Sequence, residues 1–329
     1  MKKALAVIFI LLVGIPLSLW VAVSQLTAAK NYPIGPAPAE LGAESVAFND
    51  IHGWFISANH NQMCVLLLHG VRADRKDMLD RANFLKHAGF SSLLIDLQAH
   101  GESQGKQITF GYRESDDAKA AVRYLRQARG CKKVAAIGIS LGGAATLLGA
   151  APAKVDALVL ESVFPTIEDA ITNRVAVYLG KLAPVVAPLL IKQIPYRLHI
   201  PLAALRPVDA IKNNHAPVLV MGGSADDLTP PKETAQLYRQ ALSPKELWMI
   251  QGAAHVDFYG FAGARYAQRV TGFLQKYLLA RAVPLKLSAG SRPVLHRAAT
   301  SAAHLQLHGI SPVIYRYPHP TDPPQTMRF

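Results

Sequence analysis

The stretch from residue 134 to residue 150, VAAIGISLGGAATLLGA, joins a short apolar run to a segment of small and helix-forming residues. It contains the pattern G-x-S-x-G at Gly138, Ser140 and Gly142, which is weak by itself because it often marks only a turn. Here the pattern follows an apolar strand and opens a helix, so we expect Ser140 on a tight turn with its hydroxyl above the sheet edge. The N–H of Leu141, at the start of this helix, would point to where an oxyanion forms.

Similar apolar runs alternate with amphipathic patterns on both sides of this stretch. Such alternation is typical of a mostly parallel sheet with helices on both faces. The predicted strands are 45–48 and 54–58, as an antiparallel pair, followed by 64–69, 92–96, 134–139, 157–160, 218–221 and 247–250. The predicted helices are 75–88, 114–128, 141–150, 232–242 and 258–281. The sequence therefore predicts one α/β domain built on an eight-stranded sheet.

Ser140 needs a base, because a serine hydroxyl is a poor nucleophile until its proton is removed. Of the 12 histidines in the chain, His255 stands out because its segment, GAAH, directly follows the last predicted strand. This puts His255 in a loop at the same carboxyl edge of the sheet as Ser140. A carboxylate must in turn fix the tautomer of the histidine. Asp226 and Asp227 follow the preceding strand, where either one could instead form a turn or cap a helix, and Glu161 is a further candidate.

Five segments, taken in order, resemble successive landmarks of the α/β-hydrolase superfamily. They are His69-Gly70, DLQAHGES at 96–103, GISLGG at 138–143, GSAD at 223–226 and GAAH at 252–255. The resemblance covers residues 45–282. Within the superfamily the chain is most similar to membrane-tethered hydrolases of the Bem46 type, which also resemble serine aminopeptidases and acyl-thioesterases.

The resemblance implies an α/β-hydrolase fold with a catalytic triad. Its members would be Ser140 as nucleophile, His255 as general base and Asp226 as the acid, in the chain order serine, acid, histidine. By carry-over, the N–H of Val71 would be the second oxyanion donor beside that of Leu141.

The chain departs from its relatives at Gln98-Ala99, where they often carry arginine and glycine. This departure concerns the local shape of the loop and leaves the fold unchanged. His100 and Ser103, in the same loop, are expected to shape it through hydrogen bonds rather than to catalyse.

The N-terminus has the pattern of an export signal. Lys2 and Lys3 precede an apolar run over residues 4–23, and such charges keep the amino end cytoplasmic while the rest crosses the membrane. The length of the run favours a retained anchor, whereas Gly14, Pro16 and the small residues after the run favour a cleaved signal peptide over residues 1–30. The domain is therefore expected on the exported side, anchored to the membrane or secreted.

The other segments differ from the body in composition. Residues 31–43 are rich in proline, glycine and alanine and are expected to link the N-terminal segment to a hydrolase domain at 44–282. Residues 163–207 are apolar and broken by prolines, which predicts an inserted helical cap. Residues 283–329 are expected to hold little folded structure, and their four histidines lack the spacing of metal ligands.

The net charge of +13 is not gathered into a basic block interleaved with aromatic residues, so nucleic acid is not an expected partner. An anionic membrane surface is compatible with this charge. The two cysteines are Cys64 and Cys131, which begin and precede strands that lie side by side in this fold's usual order. They are expected either to pair at the sheet edge far from Ser140 or to remain buried thiols.

These features predict a serine hydrolase that cleaves carboxylic esters or thioesters through an acyl-enzyme, with no metal or organic cofactor. The apolar cap suggests a lipophilic acyl substrate, although it could serve only as hydrophobic cover. One alternative is an aminopeptidase-like peptidase, for which Glu168 and Asp169 are the acidic residues near the cap. Another is a catalytically silent, membrane-bound binding module. Neither the natural substrate nor the oligomeric state follows from the sequence.

Overall fold

Apolar runs form the centre of an eight-stranded sheet in the computed structural model, which describes residues 13–58 and 62–279. The strands of this sheet are β2 (Ala43–Phe48), β3 (Ile51–Ile56), β4 (Met63–Leu68), β5 (Ser91–Ile95), β7 (Lys133–Ile139), β8 (Ala157–Glu161), β9 (Val218–Gly223) and β10 (Lys245–Ile250). Their spatial order is β10-β9-β8-β7-β4-β5-β3-β2. All neighbours are parallel except β2 with β3 and β3 with β5. Two further strands, β1 (Lys30–Asn31) and β6 (His100–Gly101), form a separate short parallel pair.

Helices cover both faces of the sheet. The longer ones outside the cap are α1 (Ile15–Thr27), α2 (Leu79–His87), α3 (Glu114–Gln127), α4 (Leu141–Leu147), α9 (Pro231–Gln240), α10 (Phe258–Ala262) and α11 (Ala264–Leu278). Alternate residues of β4 point to opposite faces, as the pleat of a strand requires. Leu66 and Leu68 pack in the apolar layer with α3, α4 and α9, whereas Val65 and Leu67 pack in the layer with α2 and α11.

The predicted fold class is confirmed, with an opening antiparallel pair and six further strands where they were expected. Strand bounds agree with the prediction to within three residues. The predicted helix at 258–281 is two helices, because the chain breaks at Gly263, where φ is +53° and a side chain would be strained.

The predicted cap at 163–207 contains three α-helices, inserted between β8 and β9. They are α5 (Ile167–Leu179), α6 (Ala183–Ile191) and α7 (Ile194–Leu198), with short 3₁₀ turns at Gly180–Leu182 and Leu202–Ala204, and α8 (Pro207–Ala210) follows. Residues 167–198 are the described stretch long and apolar enough to cross a membrane by length and composition, because 18 consecutive residues within it have a mean hydropathy of 1.6. Since about 20 residues are needed for one span, helices of 13, 9 and 5 residues are each too short.

The segment predicted as a linker lies against the domain. Lys30–Asn31 pairs with the loop strand β6, and the hydroxyl of Tyr32 donates to Asp74 at 2.7 Å. The N–H of Ile34 donates to Glu102. Residues 1–12 of the predicted N-terminal anchor and the whole predicted tail lie outside the described residues.

Cys64 and Cys131 form a disulfide, with their Cα atoms 5.9 Å apart. β4 and β7 are neighbours, as expected, and Cys64 lies near the amino end of β4. The bridge therefore lies at the edge of the sheet opposite to Ser140, and the alternative of buried free thiols does not apply.

Candidate active site

Ser140 lies on a tight turn between β7 and α4. Its φ is +47°, a conformation that side-chain-bearing residues rarely adopt and that costs about 1–3 kcal/mol. The N–H of Ser140 donates to the carbonyl of Glu161 at 2.8 Å, which fastens the turn to the end of β8. A Cβ on Gly142 would lie 2.4 Å from the backbone oxygen of Leu68, and one on Gly138 would meet the backbone of α4 at 2.5 Å. Small residues are therefore required on both sides of the serine.

Asp226 and His255 are joined by a hydrogen bond. Nδ1 of His255 lies 2.9 Å from Oδ2 and 3.2 Å from Oδ1 of Asp226. The carboxylate also accepts from the N–H groups of Leu228 and Thr229, at 2.9 and 2.7 Å, and from the Ser162 hydroxyl at 3.0 Å. Burial opposes ionisation of Asp226, but His255 and the other donors outweigh it and hold the pKa below its usual value.

The ionised acid determines the tautomer of the histidine. A carboxylate can only accept, so Nδ1 of His255 donates and Nε2 is left to accept a proton. The Asp226 side chain is fully buried, whereas that of His255 is 24% exposed. The imidazole can therefore meet a substrate while its partner is shielded from water.

The three predicted residues follow strands β7, β9 and β10, whose carboxyl ends lie at one edge of the sheet. A chain of contacts links them, because Ser140 binds the carbonyl of Glu161 and the next residue, Ser162, binds Asp226. Among the hydrogen bonds of the described residues, none joins the Ser140 hydroxyl to His255. The contact between nucleophile and base therefore stays a prediction, and such bonds often tighten only when substrate is bound.

The two predicted oxyanion donors flank this turn. Leu141 begins α4, and Val71 follows β4, which is the strand next to β7. Neither N–H has a hydrogen-bond acceptor within the part of the chain that the structure describes. Both are therefore free to bind a negative oxygen.

The His69 side chain fixes the backbone just before Val71. Its Nδ1 donates to the Gly70 carbonyl at 2.7 Å and its Nε2 accepts from the Leu97 N–H at 3.1 Å. Burial and the neighbouring His100 lower the pKa of His69 to about 3, so the ring is neutral. This neutral state is the one that can both donate and accept.

His100 and Ser103 bind backbone groups of the loop after β5. Nε2 of His100 accepts from the Arg72 N–H at 3.1 Å, and the Ser103 hydroxyl donates to the Asp96 carbonyl at 2.6 Å. At the departure from the family pattern, the Gln98 side-chain amide donates to Glu114 at 2.7 Å. This loop is therefore held by its own hydrogen bonds, with a glutamine in place of the arginine.

Glu161, the alternative acid, is occupied elsewhere. It lies in a buried ion pair with Arg81, at 2.7 Å, and also accepts from the Tyr266 hydroxyl. Arg81 binds Asp257 as well, at 2.7 Å, and Asp257 is two residues beyond His255. Glu161 therefore supports the site through Arg81 and does not face the imidazole.

Sequence reasoning missed Ser162 and Arg81 as residues that support the site. Ser162 directly follows β8, at the edge where the chemistry was expected, so its position was a usable signal. Arg81 gives no comparable signal, because its partners Glu161 and Asp257 are 80 and 176 residues away in the sequence.

A side chain of the cap contacts the loop that carries Asp226. The amide of Asn173, on α5, donates to the Leu228 carbonyl at 3.3 Å and to Glu233 at 2.8 Å. Leu228 in turn donates to Asp226. A movement of α5 would therefore shift the backbone that holds the carboxylate of Asp226.

The fold, with a serine on a strained strand-to-helix turn and a histidine–aspartate pair at the same sheet edge, defines the α/β-hydrolase class. Comparisons with known proteins agree. The model of the family described as serine aminopeptidase, S33, matches residues 59–200. The family match, the relatives and the shared fold together support an assignment to the α/β-hydrolase superfamily.

Individual relatives span most of the chain. The uncharacterized protein YfhR of Salmonella typhi is 27% identical over 304 residues, covering 85% of this chain and 97% of its own. The α/β-hydrolase domain-containing protein WAV2 of Arabidopsis thaliana is 27% identical over 266 residues, covering 76% and 84%. Among solved structures, the Pyrococcus furiosus esterase Pf2001 superposes with a TM-score of 0.62 at 22% identity, covering 76% of this chain and 98% of the esterase.

Proposed function

We propose that the protein is a serine hydrolase that cleaves carboxylic esters or thioesters. The observation that carries the proposal is the His255–Asp226 hydrogen bond at the sheet edge where Ser140 lies on its strained turn. The likeness to the fold of an archaeal esterase supports ester chemistry. The apolar cap favours substrates with a lipophilic acyl group.

The proposed reaction has two halves. The Ser140 hydroxyl attacks the carbonyl carbon while its proton passes to Nε2 of His255, and the N–H groups of Val71 and Leu141 bind the oxyanion. His255 then gives the proton to the leaving alcohol or thiol, which leaves an acyl-enzyme. A water that loses a proton to His255 attacks this acyl group, and the acid departs as Ser140 regains its proton. Asp226 keeps its charge throughout and stabilises the imidazolium.

A fluorophosphonate probe tests the nucleophile directly. We expect the wild-type chain to be labelled, Ser140→Ala to lose the label, and Ser45→Ala on the edge strand β2 to keep it. Absence of labelling in the folded wild-type protein would favour a silent binding module. A series of p-nitrophenyl esters tests the acyl preference, which a flat or falling profile with chain length would contradict.

Peptide cleavage is a second candidate, supported by the description of the matching family and by acidic side chains near the cap. Asp169 binds Thr166 at 2.6 Å. Glu168 lies 3.8 Å from Arg206, and its Oε2 has no hydrogen-bond partner among the described residues. Glu233 is buried, and its Oε2 has no partner among the described residues, while burial raises its pKa. Aminoacyl p-nitroanilides distinguish the two, because turnover of these amides above that of esters would favour the peptidase.

A further inference from the structure

Helix α6 is apolar on the side that faces solvent as well as on the side that packs. Its buried residues are Ala183, Ala187 and Leu190. Its exposed residues are Pro184, Val185, Pro188 and Leu189. A helix on the surface of a soluble domain normally carries polar residues on its outer face, whereas one that is apolar all round is covered by protein or lipid.

The neighbouring helices carry further exposed apolar side chains. We call this set the cap surface and define it as Val177, Tyr178, Leu179, Leu182, Val185, Leu189 and Tyr196. Val185 is 67% exposed and Tyr196 is 81% exposed. Large exposed apolar areas on a protein mark interaction sites.

The cap surface is continuous with the N-terminal helix. Arg197 donates to the Ser24 hydroxyl at 2.7 Å and to the Trp20 carbonyl at 2.5 Å, and its guanidinium lies 3.6 Å from the centre of the Trp20 ring. Leu17 and Trp20 are themselves more than half exposed. Both belong to the apolar run at residues 4–23, so any bilayer that receives this run lies next to the cap.

Beyond Glu168 and Asp169 in the first turn of α5, the segment that carries the cap surface has charges of one sign. Residues 170–200 contain four Lys or Arg and no Asp or Glu. The basic residues are Arg174, Lys181, Lys192 and Arg197. Lysine and arginine beside an apolar face are attracted to anionic lipid headgroups, whereas the same charges on two facing copies of the chain would repel each other.

We propose that the cap surface docks on an anionic lipid bilayer and lies at the boundary between headgroups and acyl chains. It lies on the membrane rather than across it, because none of its helices is long enough for a span. Trp20 and Arg197 sit at the level where aromatic and basic side chains prefer to lie. The inference does not depend on ester hydrolysis, but it would place the entrance to the site beside the lipid phase.

Depth-dependent fluorescence quenching tests the docking on the full chain. A single cysteine is introduced at Val185→Cys or Tyr196→Cys and labelled with an environment-sensitive dye, since both natural cysteines are paired. Gln275→Cys, on α11 over the other face of the sheet, is the matched control. In phosphatidylglycerol vesicles carrying shallow doxyl lipids, we expect at least a twofold loss of fluorescence at 185 and 196, and no change at 275.

Two further variants separate the cap from the N-terminal segment. If Leu17→Cys is quenched while positions 185 and 196 are not, the N-terminal helix alone holds the protein and the proposal is wrong. The substitutions Lys181→Gln and Lys192→Gln should each weaken the affinity of the cap for anionic vesicles about fivefold. Pyrene excimer emission from labelled position 185, without lipid quenching, would show that a second copy covers the surface and would also overturn the proposal.

Discussion

The hydroxyl of Ser162 donates a hydrogen bond to Oδ2 of Asp226, with 3.0 Å between the two oxygens. Ser162 follows directly on the residue whose carbonyl accepts the N–H of Ser140, so one short segment touches both the nucleophile turn and the acid. With His255 and two backbone N–H groups as further donors, the carboxylate of Asp226 is held in one orientation. The orientation of this carboxylate is therefore set by the chain's own residues.

Replacement of this acid should remove most of the catalysis without unfolding the protein. In Asp226→Asn we expect kcat on a p-nitrophenyl ester to fall by about 10⁴, because the amide favours the wrong tautomer of His255 and cannot stabilise the imidazolium. The measurement is kcat together with far-UV circular dichroism. Asp227→Asn is the matched control, since its side chain is exposed and should leave kcat within about twofold of wild type.

Glu161→Gln should give the opposite pattern. Its carboxylate is paired with the buried Arg81, and breaking such a pair by removing one partner costs about 3–5 kcal/mol of unfolding free energy. We therefore expect a large fall in the urea midpoint and a smaller loss of kcat than in Asp226→Asn. If folded Glu161→Gln lost as much activity as Asp226→Asn, the assignment of the acid would be wrong.

The features that could be predicted from the sequence are those that depend on short-range residue pattern and on the order of the strands. Apolar runs with helical spacers were enough for the sheet, and the position of Asp226 and His255 after consecutive strands was enough for their contact. Arg81 could not be predicted, because its role depends on two distant carboxylates meeting in three dimensions. Docking of the N-terminal helix on Arg197 was also hidden, because an apolar run at a chain end has the same pattern whether it enters lipid or packs on protein.

The close contact between Gly142 and the backbone of Leu68 predicts that a larger residue at position 142 lowers both stability and activity. A methyl group on Gly142 would lie 2.4 Å from the Leu68 carbonyl, so the backbone of the turn must shift. We expect Gly142→Ala to lower the unfolding free energy by about 1–3 kcal/mol and kcat/KM by roughly 100-fold, since a shift of about 1 Å misplaces the nucleophile.

Gly272→Ala is the control for this substitution. Gly272 lies in α11 with nothing within 4 Å of the position of its Cβ, so alanine should stabilise the helix by up to about 1 kcal/mol and leave kcat unchanged. Urea unfolding and steady-state kinetics measure both variants. Equal behaviour of the two alanines would contradict the steric argument.

The disulfide should contribute to stability and not to chemistry. It joins Cys64 to Cys131 across a sequence separation of 67 residues. For a loop of this length the chain-entropy model gives a stabilisation of about 4 kcal/mol, and disulfides typically contribute about 2–4 kcal/mol to the free energy of unfolding. The double variant Cys64→Ala/Cys131→Ala should unfold at lower urea with kcat unchanged, because the bridge is at the edge opposite to Ser140. Reduction of the wild type should have the same effect on the midpoint and none on the double variant. A reducing agent that left the wild-type midpoint unchanged would show that the bridge does not stabilise the fold.

Buried His69 should make stability depend on pH in a defined direction. Burial, helped by His100, lowers its pKa from an ordinary 6.5 to about 3, so below about pH 6.5 the unfolded chain binds a proton that the folded chain refuses until near pH 3. The contribution of His69 to the free energy of unfolding is thus present above pH 6.5 and is lost as the pH falls from 6.5 towards 3, by up to about 1.4 kcal/mol per pH unit.

Urea unfolding at pH 7.5, 6.5 and 5.5 tests this contribution. The free energy of unfolding should depend less steeply on pH in His69→Gln than in wild type, even though the variant is less stable at every pH. His87→Gln, at an exposed histidine, should keep the wild-type slope. Parallel slopes for wild type and His69→Gln would mean that His69 takes up its proton in the folded protein, and that the backbone before Val71 is not held by a neutral ring.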